Sequence, residues 1–126
     1  MIEVKLSTII NSIEVLQKIS NSPIRGRTAY KVGKLLKRIE EEFDLFNDSR
    51  KKLIDQYALK DKEGDPITED GSYKISPDKI SEFNAEVSGL LDTVVKIDLD
   101  PIPIEEIENI EFTPNEIILI DDFIEG

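Results

Sequence analysis

The apolar positions fall into separate runs, and each run has a period that predicts an element. In "LSTIINSIEVLQKIS", Leu6, Ile9, Ile10, Ile13, Leu16 and Ile19 recur at spacings of three and four, which is one face of a helix. With Ser7 as N-cap, the pattern predicts a helix over about residues 7–20. "NSPIRG" then supplies a turn, punctuated by Pro23 and Gly26. From Thr28 to about Ala58 there is no proline, and the only glycine is Gly33. Val32, Leu35, Leu36, Ile39, Phe43, Phe46, Leu53, Ile54 and Tyr57 fall within roughly a 100° arc of one helix. That helix is about 45 Å long at roughly 1.5 Å per residue. It cannot bury such a stripe alone, so the first helix is expected to fold back on it as a helical hairpin over residues 7–58. Leu36, Ile39, Phe43 and Phe46 should then lie in its core, where Phe43→Ala would cost about 3–5 kcal/mol.

A polar break covers residues 59–76. Within it, "ITEDGSYK" has a short β-type run on each side of Asp70–Gly71, which suits either a two-residue hairpin or a mobile loop. "SPDKISEFNAEVSGLL" predicts a helix over 77–91, within a helical stretch reaching 93. Ser76 is its N-cap, Pro77 its first residue, and Ile80, Phe83, Val87, Leu90 and Leu91 its buried face. "VVKIDLD" alternates, with Val95, Ile97 and Leu99 on one side, and predicts a half-exposed strand. Ile104, Ile107 and Ile110, spaced at three, suit a short helical turn. "TPNEIILIDDFI" repeats a helix start, with Thr113 as N-cap, Pro114 next and Glu116 placed for a capping box. Ile117, Leu119 or Ile120, and Phe123 or Ile124 offer its buried face. The expected fold is therefore α+β and mainly helical: a single domain, 1–126, with an acidic section over 94–126 packed on the helices.

Composition narrows the chemistry. A chain of 126 residues suits one compact domain. It has no cysteine and no histidine, so disulfides, thiolate metal sites and the commonest general base are excluded. "MIEVKLSTII" lacks a basic segment followed by a long apolar run, and no stretch approaches the roughly 20 apolar residues of a membrane span. A soluble, intracellular protein with no membrane partner is expected.

The net charge of −11 hides a division. Residues 1–60 hold 12 bases and 8 acids, whereas residues 61–126 hold 4 bases and 19 acids. Arg27, Lys31, Lys34 and Arg38 recur at helical spacing as a basic stripe beside the apolar one. The stripe could grip phosphates, face the chain's own acidic half, or simply be solvated. No aromatics interleave for base stacking, so nucleic acid is an unfavoured partner. Asp98, Asp100, Glu105, Glu106, Glu108 and Glu111 form a dense acidic cluster around two prolines. Such crowding favours a cationic counterpart, either that stripe or a basic groove on another protein. "DKEGDPITED" lacks the ligand spacing of a calcium loop, and no phosphate-binding glycine loop is present, so neither metal nor cofactor is expected. Tyr30 and Gly33 lie on the outer side of the long helix, where a small residue would admit another backbone.

The order of "KLSTIINSIEVLQKI", "YKVGKLLKRIEEEFDLFNDSRKKLIDQY", "FNAEVSGLLDTVVKIDLDPIPI" and "FTPNEIILIDDFI" resembles a family of small proteins of unknown function. These are encoded by tailed phages and prophages, mainly of Gram-positive bacteria. The resemblance implies no catalytic residues. It implies a phage context, in the cytoplasm of an infected host cell or in the virion. The expected role is a non-enzymatic interaction protein that binds a protein partner or itself through the long helix and the acidic face. The alternative is an acidic, nucleic-acid-mimicking inhibitor of a host or defence enzyme.

An ending that carries helix caps and 13 Ile, Leu or Phe among its last 30 residues is built to pack. Deleting residues 113–126 should abolish cooperative unfolding or cause aggregation, followed by circular dichroism on heating. A truncated chain as soluble and stable as the parent would make the ending a separate tail.

Overall fold

Ile2 and Val4 alternate with Glu3 and Lys5, and this period of two makes Ile2–Lys5 a strand, β1, which the helical periodicity after it hides. The computed structural model describes residues 1–69 and 72–126. β1 pairs antiparallel with β4 (Val94–Ile97), in a register running from Ile2 opposite Ile97 to Lys5 opposite Val94. Ile2, Val4, Val95 and Ile97 share the buried face, and Leu99 beyond them is half-buried. The strand runs directly into α1 (Leu6–Ser20), so Ser7 is not the N-cap. That position belongs to Lys5, whose side chain makes no capping bond. The Leu6 N–H donates instead to the Thr93 carbonyl at 2.9 Å, so a neighbouring strand supplies an acceptor for the first turn.

α2 (Gly26–Tyr57) follows and is the long helix expected. Its 32 residues outrun one core, and the chain divides into two compact units: Met1–Phe43 with Thr93–Gly126, and Asp44–Asp92. Thr28, Val32, Leu35 and Ile39 make a fully buried seam in the first unit, and Phe46 and Ile54 are buried in the second. Leu36 and Phe43 are only half-buried, contrary to expectation. Leu36 borders the seam, and Phe43 is the last residue of the first unit, where the helix leaves that core. Gly33 is exposed, and a Cβ there would meet nothing within 4 Å. No second backbone comes close at that point.

The first unit is mainly closed by the acidic ending. After β4, β5 (Ile102–Pro103) pairs in parallel with β6 (Ile124–Glu125). Between them lie a 3₁₀ turn (Ile104–Ile107), α4 (Pro114–Ile120) and a second 3₁₀ turn (Asp121–Phe123). The capping box of α4 is complete: Thr113 Oγ1 accepts from the Glu116 N–H at 3.2 Å, and the Thr113 N–H donates to Glu116 Oε1 at 2.9 Å. α4 packs closely on α1. Ile120 and Phe123 have no exposed surface, Ile117 and Ile124 are half-buried, and Leu119 is 37% exposed. The apolar residues of the ending therefore join Ile9, Leu16, Ile19, Val32, Leu35 and Ile39 in one core.

In the second unit, β2 (Thr68–Glu69) and β3 (Ser72–Tyr73) pair antiparallel, flanked by bridges from Ala58 to Ile75 and from Lys60 to Pro66. The polar break is thus paired chain, although the expected turn residues Asp70 and Gly71 lie outside the described residues. α3 (Ile80–Leu91) begins three residues after Pro77. Ser76 accepts from the Lys79 N–H through its carbonyl, forming a turn ahead of the helix, and the N-cap is Lys79. The expected buried face of α3 is not buried. Ile80 is 44% exposed, and Phe83, Val87, Leu90 and Leu91 are half-buried. Two helices and two short strands give this unit too few layers to enclose side chains from every direction.

Phe123→Ala should cost about 3–5 kcal/mol in urea unfolding, the range for a fully enclosed aromatic. Phe43→Ala should cost clearly less, because part of its ring is already in water. Equal losses at the two positions would contradict the burial difference.

Candidate interaction surfaces

Both charged motifs belong to the first unit, and the fold brings them together. The N-terminal turns of α2 run beside the segment that leaves β4. Thr28 is 1% exposed and donates its hydroxyl to Glu106 Oε2 at 2.9 Å, so a buried polar group is satisfied by the acidic cluster. Lys31 Nζ stands 4.0 Å from Glu106 Oε1, a half-exposed pair worth less than about 1 kcal/mol. Asn109 Nδ2 donates to the Pro23 carbonyl at 3.0 Å, tying the cluster to the turn between α1 and α2. Around these contacts opens a cleft of about 1340 Å³, with Arg25, Arg27 and Thr28 on one wall and Glu105, Glu106 and Glu108 on the other.

The rest of the basic stripe borders a smaller cleft of about 530 Å³, lined by Tyr30, Lys34, Lys37 and Arg38 from α2 and by Ile97, Asp98 and Leu99. Lys34 Nζ lies 5.1 Å from the centroid of the exposed Tyr30 ring. Arg38 pairs with Glu42 one turn along the helix. The six clustered acids are divided between these clefts and the surface beside them. Asp98 lines the smaller cleft, Glu105, Glu106 and Glu108 line the larger one, and Asp100 and Glu111 line neither. Glu106 is half-buried, and the other five carboxylates are exposed.

One link was not foreseen in the periodicity. Lys18 on α1 donates to the Glu111 carbonyl at 2.7 Å and to both Glu116 oxygens at 3.0 and 3.1 Å, with its ammonium 5.1 Å from the Phe112 ring centroid. Lys18 is the only base between Leu6 and Ser20, but its spacing along α1 names no partner 93 to 98 residues away.

The second unit presents a surface of different character. Phe46, Ile54 and Ala58 are its buried apolar residues, at 9%, 5% and 7% exposure. Phe83 meets Tyr57 edge-on, with ring centroids 6.0 Å apart, and Ile80, Val87, Leu90 and Leu91 extend that face along α3. Among the described residues there is no cluster of metal-ligating side chains, and no helix is long and apolar enough to cross a membrane. Compared with protein-family models, characterised proteins and solved structures, the chain matches none.

Glu116 titrates below its ordinary value, first because the Thr113 N–H bonds its carboxylate, then because Lys18 does. A carboxyl depressed in the folded state adds stability that is full above the ordinary glutamate range and is lost as pH falls through the folded value. Glu116→Gln keeps a capping acceptor but removes the charge. Its urea midpoint should fall below the parent's at neutral pH, and the two should converge in acid. Parallel curves across pH would rule out this linkage.

Proposed function

We propose that this is a non-enzymatic, phage-encoded interaction protein that binds a protein surface, acting in the infected cell or in the virion. The observation that carries the binding role is the half-exposed apolar face of the second unit. No residue of α3 is buried, yet its Ile80, Phe83, Val87, Leu90 and Leu91 keep one regular stripe. A stripe of that kind left in water marks a contact site more often than a core. The phage assignment rests on the resemblance in segment order. The non-enzymatic assignment draws on a chain without histidine or cysteine.

A second reading has its own support. Asp98, Asp100, Glu105, Glu108 and Glu111 are exposed, as an acidic mimic of a nucleic acid would require. Against it, Arg25 and Arg27 stand across the cleft from three of the clustered acids and break up the negative field.

Affinity capture from infected cells with the tagged full chain, read by mass spectrometry, tests both readings. A protein recovered by the parent, an untagged copy of the chain included, should be lost with a folded Val87→Glu variant. Recovery unchanged by that variant would overturn the role given to α3. Loss with Glu105→Lys/Glu108→Lys/Glu111→Lys instead, together with weakening as salt rises, would favour the acidic mimic.

A further inference from the structure

The apolar face of the second unit also carries charge, and the placement of that charge identifies its occupant. Phe46, Arg50, Leu53 and Tyr57 recur at spacings of four, three and four, so Arg50 stands within the apolar stripe of α2. It is exposed and has no ion-pair partner among the described residues. On α3, Glu86 borders the apolar stripe, three residues after Phe83 and four before Leu90, and it too is exposed and unpaired among the described residues. The two helices of this unit thus carry a cation within the apolar stripe of one and an anion at the apolar edge of the other. Among the described residues neither charge is paired.

We propose that this face is a self-association surface, occupied by a second copy of the same chain docked by two-fold symmetry. The inference rests on reading the face as a protein-binding surface and names its partner. In an isologous contact, if one residue meets a second residue of the other copy, that second residue meets the first in return. Arg50 of each copy then meets Glu86 of the other, so both charges are matched by one operation. A face carrying both signs is complementary to itself, whereas a face of single sign would call for a partner of opposite sign. The same contact sets two helices of one copy against two of the other. A four-helix layer closes a core that two helices and a hairpin leave open.

Sedimentation of the full chain from micromolar to millimolar concentration tests the proposal. The parent should pass from its 14.3 kDa monomer to a species of twice that mass. Arg50→Glu and Glu86→Lys alter exposed side chains, so each variant should keep the parent's far-UV circular dichroism. Each alone should dimerise roughly tenfold or more weakly than the parent, because two like-charge contacts replace two attractive ones. An equimolar mixture should restore the doubled mass, since both cross-contacts are attractive again. The proposal is overturned if the parent stays monomeric throughout, if either variant dimerises as the parent does, or if the mixture stays monomeric. A monomeric parent that still captures another protein in a Val87-dependent manner would defeat self-association and leave the binding surface standing. A monomeric parent whose capture ignores Val87 would defeat both.

Discussion

The antiparallel pairing of Ile2–Lys5 with Val94–Ile97 is the constraint on which the first unit depends. It joins Ile2–Lys5 to a strand beginning at Val94 and so makes Asp44–Asp92 an excursion from one core. The register does three things at once. It buries Ile2, Val4, Val95 and Ile97 together, gives the Leu6 N–H its acceptor in Thr93, and directs the chain after Ile97 back along α2. The cross-strand pair of Glu3 and Lys96, at 3.9 Å and largely exposed, adds little to this. The pairing rests on apolar burial and backbone hydrogen bonds.

Once that return path is set, the acidic ending has two tasks. Its apolar residues complete the core through Ile102, Ile107, Ile120 and Phe123. Its carboxylates and carbonyls are partly consumed in holding the ending down, Glu106 by Thr28 and Lys31, Glu116 by Lys18 and its own cap. The large charge asymmetry along the sequence is therefore partly an internal device. What remains outward is a mixed-charge cleft, whose Arg25 and Arg27 stand opposite Glu105 and Glu108.

The second unit has no equivalent of that ending. Among the described residues of Asp44–Asp92 nothing plays the part of α4, so the face of α3 is shared with water. A core of this thickness leaves aromatic and aliphatic groups half-covered, and a further layer is the general way to remove them from solvent. This contrast between a closed unit and an open one is the physical basis for the proposal that contacts form on α3 and the C-terminal half of α2.

Local pattern by itself determined most of the helical content, because helix periodicity and caps are written within a few residues. The long stripe of α2, the Thr113–Glu116 capping box and the alternation of β4 all needed only neighbours in sequence. So did the acidic cluster and the basic stripe as sets of residues. Tertiary structure decided what depends on distant partners. β1 is too short to announce itself and exists through β4, and the cap of α1 comes from Thr93 rather than Ser7. The half-burial of Leu36, Phe43 and the α3 stripe follows from where each core ends, which spacing along one helix does not contain. The docking of Lys18 onto Glu116 and of Thr28 onto Glu106 belongs to the same class. Periodicity specifies which face of an element is apolar, but the number of layers available to cover it is a property of the whole fold.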